Sequence, residues 1–256
     1  LKAVAQVSSR PRRAGAMNHL VGLKLDWSSH DPLSGLATDE DREVFRAFKA
    51  EYLALGGNAA AEEPAHVVAS DSLPPSGWRP LDDTTLLRFL FADRRDGKFQ
   101  PTKSLDRLTK ALAWRLRIRL DDMHMKEPEG NSQYQRLRVR PWFGHDHEGR
   151  PVQFERVGKF MAGGEAKRYS LEEWVRFYAW DQESVLNQMR AASSRIGRPV
   201  PRYVFCCDAG GVGFSQYREV AFNSVPLITN LAKEVESHFP EIVGTIIIFN
   251  AGVVVA

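Results

Sequence analysis

Between Val152 and Phe249, short strand-like runs alternate with long helical ones, and few folds accept that alternation. Val152-Gln153-Phe154-Glu155 switches between apolar and polar residues with the period of two of a half-buried strand. Ser170 and Glu173 form a capping box. It opens a helix whose Leu171, Trp174, Val175, Tyr178, Val185, Leu186 and Met189 keep helical spacing. Tyr203-Val204-Phe205-Cys206-Cys207 reads as a buried strand. A second helix is expected from about Ser215 to His238, presenting Ala221, Ile228, Leu231, Ala232 and Val235 and stopping at Pro240. Thr245 to Phe249 includes three consecutive isoleucines and is apolar on both faces, as suits a central strand covered by helices. Strand, helix, strand, helix, strand predicts an α/β sheet.

Ahead of that sheet the period is helical. Asp39 to Leu55 puts Val44, Phe45, Phe48, Tyr52 and Leu55 on one face, with Asp39, Glu40 and Asp41 at the positive N-terminal end. Gly56 to Pro80, rich in Gly, Ala, Pro and Ser, reads as a flexible linker. Asp82 is a good N-cap for a helix carrying Leu86, Leu87, Leu90 and Phe91. Pro101 suits the first position of another, with Leu105, Leu108, Ala111, Leu112 and Leu116.

Residues 1–25 hold Lys2, Arg10, Arg12, Arg13 and Lys24 and no acid. Transit sequences share that composition, and so does a basic disordered tail, which is the reading adopted. The chain starts at Leu1 rather than Met and stops inside an apolar stretch, so a C-terminally truncated domain is expected. No apolar run reaches the ~18 residues of a spanning helix. Cys206 and Cys207 are adjacent and would bond only with strain, so both are read as reduced thiols in a cytosolic setting.

The search for chemistry returns weak signals. Gly210-Gly211-Val212-Gly213 follows a strand and precedes a helix, but Gln216 stands where a dinucleotide loop needs its third glycine, and Asp208 would repel pyrophosphate. Neither cysteine has a basic neighbour in sequence to make it a nucleophile. His145-Asp146-His147 lacks further ligands at metal spacing and reads as a polar turn before Gly149. No G-x-S-x-G elbow occurs. No catalytic residue, metal or cofactor is expected. The net charge of +3 names no partner, but ten basic residues against three acidic ones between Arg88 and Arg119 suit either a solvated helix face or an anionic surface. Nucleic acid is not expected, because exposed aromatics do not interleave with that charge.

Several separated motifs then agree in order and spacing. Leu86-Leu87-Arg88-Phe89-Leu90, Trp114-Arg115, Gly149-Arg150-Pro151-Val152, Asp208 with Gly211, and Pro240-Glu241 followed by a strand ending Asn250-Ala251 resemble the CRAL-TRIO lipid-binding family over residues 82 to 250. The resemblance implies an α/β fold: a helical N-terminal subdomain followed by a mixed β-sheet flanked by helices, incomplete here at the C-terminus. It divides the chain into a basic tail (1–38), a helix and linker (39–81), the family's helical subdomain (82–130) and a partial lipid-binding domain (131–256).

It also implies a non-enzymatic function: binding, and intermembrane transfer, of a phospholipid of the phosphatidylinositol type or another hydrophobic ligand, in a cytoplasmic protein that meets anionic membranes transiently. The alternative is a membrane-recruitment or regulatory module of a larger signalling protein that moves no lipid. Exposing the roughly 30 methylenes of a two-chain lipid would cost on the order of 24 kcal/mol, so a carrier needs an apolar wall and no catalyst. Trp174, Tyr178, Phe205, Ile228, Ile246 and Ile248 are the expected wall residues, although each also suits ordinary core packing. Lys98, matched to the family's Lys-Phe pair, is expected to meet headgroup phosphate with Arg95, and Glu241 to accept inositol hydroxyls. Phe91 to Gln100 carries an insertion relative to the family, and Ile242 and Gly252 depart from its usual residues. Gln153 and Gln182, near the expected pocket, would make a poor aromatic cage for choline, which favours inositol or another polar headgroup.

Overall fold

The computed structural model describes residues 36, 38–60, 81–123, 136, 140–162, 168–211 and 220–250. Three helices form the N-terminal part: α1 (Asp39–Ala60), α2 (Asp83–Ala92) and α3 (Pro101–Arg117), followed by the single turn α4 (Leu120–Met123). Phe45, Phe48 and Tyr52 of α1, at successive helical turns, bury against Leu86, Leu87 and Leu90 of α2 and Leu108, Ala111 and Leu112 of α3. Leu55 and Leu116, expected on those stripes, stay exposed. Each lies at the far end of its helix, beyond the packed turns. Asp82 caps α2 by accepting the Thr85 N–H at 2.8 Å, and Pro101 opens α3. Between them the chain reverses through Asp96 and Gly97, both at positive φ, with paired backbone bonds of 2.9 Å joining Arg95 and Lys98. This is the two-residue turn that Asp-Gly favours in hairpins.

The second part is a four-stranded sheet in the order β1-β2-β3-β4, from β1 (Trp142–His145), β2 (Pro151–Glu155), β3 (Tyr203–Asp208) and β4 (Val243–Phe249). The first pair is antiparallel and the other two are parallel, so the sheet is mixed. Asp146 shapes the β1–β2 turn, accepting from the backbone of Glu148 and Arg150 and pairing with the Arg150 side chain. A short helix α5 (Val157–Ala162) follows β2, and the long α6 (Leu171–Ile196) leads to β3. The Ser170–Glu173 capping box is formed, and Gly197 ends α6 in the left-handed conformation.

The helix expected before β4 is not uniform. Val220–Ser224 is a π-helical turn that runs into α7 (Val225–Glu236). Pro226 supplies the reason: it has no N–H for the preceding turn and its ring crowds that turn's carbonyl, which widens it. β4 differs from its expectation too. It is half-buried along almost its whole length rather than enclosed, because the helices cover mainly β2 and β3.

Trp114 ties the two parts together. It is 3% exposed, stacks on His238 at 4.2 Å between ring centroids, and donates its indole N–H to Glu234 at 3.3 Å. Arg115 bridges Asp121 and Glu183 of α6. Burial, together with Arg117 and Arg107, holds the His238 pKa down at about 4 from the usual 6.5. His238 is therefore neutral in the fold at pH values where the unfolded chain protonates it. The stability it confers is complete above pH 6.5 and is lost as pH falls towards 4. Urea unfolding at stepped pH should show that decline, and His238→Phe should flatten this part of it.

Candidate functional site

In register, β2, β3 and β4 place Gln153, Phe205 and Ile246 side by side, and Glu155, Cys207 and Ile248 in the next layer. Alternation puts all six on one face of the sheet. The helix α6 crosses that face at β2, and the contact is polar. Arg140, whose side chain is 5% exposed, pairs with Glu155 of β2 at 3.0 Å and with Asp181 of α6. Its guanidinium lies 5.7 Å from the Tyr178 ring and 5.5 Å from the Phe205 ring. One cation thus meets two carboxylates that water hardly reaches. Gln153 and Gln182 are 1% and 3% exposed. Among the described residues the Gln153 Oε1 and Gln182 Nε2 atoms find no hydrogen-bond partner. A buried polar atom left open costs about 1–3 kcal/mol. This face therefore ends in a compact polar patch with an acceptor and a donor unused.

Beyond the patch the same face is apolar and less covered. Phe205, Ile246 and Ile248 are half-buried, and the two isoleucines stand outside the packed cluster around α6. Tyr178 and Ile228 are partly buried against that cluster. Trp174 is inside it, with no exposed surface, ringed edge-on by Phe160, Tyr169 and Phe177. The opposite face carries a second aromatic row, Phe143, Phe154 and Phe249, spaced at 5.5 Å.

The expected headgroup residues lie elsewhere. Arg95 and Lys98 flank the Asp96-Gly97 turn and are exposed. Phe99 packs edge-on against Phe91 at 5.1 Å, and Arg94 covers it at 4.8 Å, which anchors the hairpin. Glu241, at positive φ between α7 and β4, is paired with Arg202. Among the described residues no hydrogen bond or ion pair joins Glu241 to Arg95 or Lys98.

Sequence reasoning missed Arg140, Glu155 and Asp181. The last of three alternating arginines ahead of β1 and an acid in a helix look like surface charge. The one usable signal is Glu155, an acid that falls on the same side of β2 as buried Gln153.

Of the glycine-turn residues, Gly210 and Gly211 are described and 212–219 lie outside the described residues. Asp208 accepts from the Gly210 N–H at 2.9 Å and from the Asn250 amide at 3.0 Å, clasping the ends of β3 and β4. Both cysteines are free, and burial pushes the Cys206 thiol pKa up, away from a reactive thiolate. Among the described residues no cluster of three or more metal-ligating side chains occurs, and no helix is long and apolar enough to cross a membrane.

Comparison with known proteins agrees with this architecture. The chain is 30% identical over 191 residues to the phosphatidylinositol/phosphatidylcholine transfer protein SFH9 of Arabidopsis thaliana, spanning 73% of this chain and 31% of that one. It is 27% identical over 204 residues to the SEC14 cytosolic factor of Candida glabrata, spanning 77% and 63%. It is 28% identical over 170 residues to the protein real-time of Aedes aegypti, spanning 66% and 25%. The chain thus covers a third or less of SFH9 and real-time. The crystal structure of Sfh5 shares the fold, with a TM-score of 0.52 and 16% identity over 86% of this chain and 73% of that one. Residues 136–256 match the family described as CRAL/TRIO domain, and with the helical unit, the mixed sheet and these relatives they place the chain in the CRAL-TRIO family.

Proposed function

We propose that the protein binds a phospholipid of the phosphatidylinositol type without acting on it chemically, and passes it between membranes. One observation carries the proposal: Ile246 and Ile248 continue the Phe205 face of the sheet as half-buried apolar surface outside the packed core. Acyl chains laid on that strip, with Tyr178 and Ile228 at its helical side, would keep methylenes from water at ~0.8 kcal/mol each. Trp174 would act from behind, holding α6 in place. Lys98 and Arg95, projecting from a short turn pinned by Phe99, would meet the headgroup phosphate. Glu241 would offer its carboxylate to inositol hydroxyls in exchange for Arg202. The protein would work in the cytoplasm and touch anionic membranes transiently, using the basic residues around α3.

The full 256-residue chain, purified and extracted with organic solvent, should yield phospholipid at close to one per chain, and should move labelled phosphatidylinositol between vesicles. Lys98→Ala should lower the transfer rate about tenfold, the loss of one charge-assisted contact, without lowering the unfolding temperature. Vesicle binding with no transfer would instead select a recruitment module. Recovery of lipid-free protein that takes up none from vesicles would remove the carrier.

A further inference from the structure

A cleft of about 470 Å³ opens between the N-terminal half of α2, the last turns of α6 and the turn at Gly197–Val200. It involves none of the residues assigned above to headgroup or tail, and its size falls within the ~300–1,000 Å³ of small-molecule sites. Arg88 lies on its wall and is 8% exposed. Its hydrogen bond goes to a neutral acceptor, the Thr85 hydroxyl at 2.9 Å. Asp82, the acid whose field it feels most, has both oxygens committed to Thr85, at 2.8 and 3.0 Å, and Glu183, whose field is weaker there, is paired with Arg115. Arg190, on the same wall, donates to the neutral amide of Asn187 at 2.9 Å, and Arg198 donates to the Glu148 carbonyl at 2.7 Å. Among the described residues no carboxylate stands within ion-pair distance of Arg88 or Arg190. Burial brings the Arg88 pKa down to about 10 against the pull of Asp82 and Glu183, and Arg190 pushes in the same direction as burial.

A guanidinium removed from water without a counter-ion is costly, and most of its five N–H donors are left over. Arg88 and Arg190 border one cleft in which, among the described residues, Asp82 is the single acid, and this leaves an excess of positive charge there. We propose that this cleft is an anion site that takes a phosphate group, with Arg88 at its base and Arg190 and Arg198 at its mouth. The planar forks of arginine suit phosphate oxygens in pairs. Leu186 and Met189 supply an apolar wall for whatever the phosphate is attached to. A soluble phosphate ester and a phosphorylated lipid headgroup offer the same chemistry.

Thermal unfolding of the full chain in rising inorganic phosphate, with ionic strength held constant by chloride, tests the site. The midpoint should rise and saturate, as for a ligand that binds only the folded state. Arg190→Ala, at an exposed position, should weaken the apparent affinity about tenfold. Arg88→Met should remove the response, and should raise the midpoint of the phosphate-free protein because a buried charge is gone. Sedimentation with phosphatidylcholine vesicles, with and without phosphatidic acid, separates the two sources. A lipid headgroup would make binding to phosphatidic acid sensitive to Arg190→Ala, whereas a soluble ester would give the phosphate response alone. If wild type and Arg190→Ala respond identically in both arms, the proposal is overturned. The lipid-transfer assay of the preceding section is independent of either result.

Discussion

Arg140→Ala is expected to destabilise the protein by about 3–5 kcal/mol, because it takes the paired guanidinium away from Glu155 and Asp181 where little water can replace it. Their side chains are 1% and 11% exposed, and Arg140 is the cation between them. Urea unfolding should show a lower midpoint with an unchanged slope. Removing all three charges together has a different expected outcome. Arg140→Met with Glu155→Leu and Asp181→Leu should restore wild-type stability or exceed it, since an apolar replacement of similar volume avoids the desolvation of three ions. That pair of results separates two roles for the polar patch. If the triple variant is stable and still carries lipid, the patch only fixes α6 on the sheet. If it is stable and empty, the patch, with the open valences of Gln153 and Gln182, belongs to the ligand.

Trp174→Ala should cost a similar amount, about 3–5 kcal/mol, by a different route. No surface of Trp174 reaches solvent, and three aromatic rings lie edge-on within 6.4 Å of it. These partners come from α5, from the residue before the capping box and from α6 itself, so the void left by alanine cannot close without moving all three. The unfolding temperature should drop by on the order of 10 °C. Trp174→Phe, which keeps a ring in the slot, should lose much less. A loss of lipid with no loss of stability in either variant would return Trp174 to the wall of the ligand site.

Local chemistry made much of this fold legible. Asp82, Pro101, and the Ser170–Glu173 box sit where capping physics puts them. The apolar runs at Tyr203 and Thr245 do lie side by side, in parallel register. The π turn before α7 was marked by Pro226, but its effect depends on which helix contains it. The polar patch was not legible, because Arg140, Glu155 and Asp181 come from three separate segments and only tertiary packing makes them a group. Trp174 shows the converse. Helical period put it on the inward face correctly, and period alone does not say whether that face meets a ligand or other side chains. The cleft at Arg88 escaped for the same reason, since that arginine sits inside an apolar motif whose neighbours explain themselves as core.

Gly158 links the rim of the sheet to its interior. A methyl group there would come within 2.2 Å of the Gly210 carbonyl oxygen and 2.5 Å of Ala209, so the backbone of α5 lies flush on the chain leaving β3. Two residues on, Phe160 reaches the Trp174 ring at 5.5 Å. The chain leaving β3 at Ala209 and Gly210 is thereby joined, through Gly158 and Phe160, to the ring packing at Trp174 without a flexible loop between them.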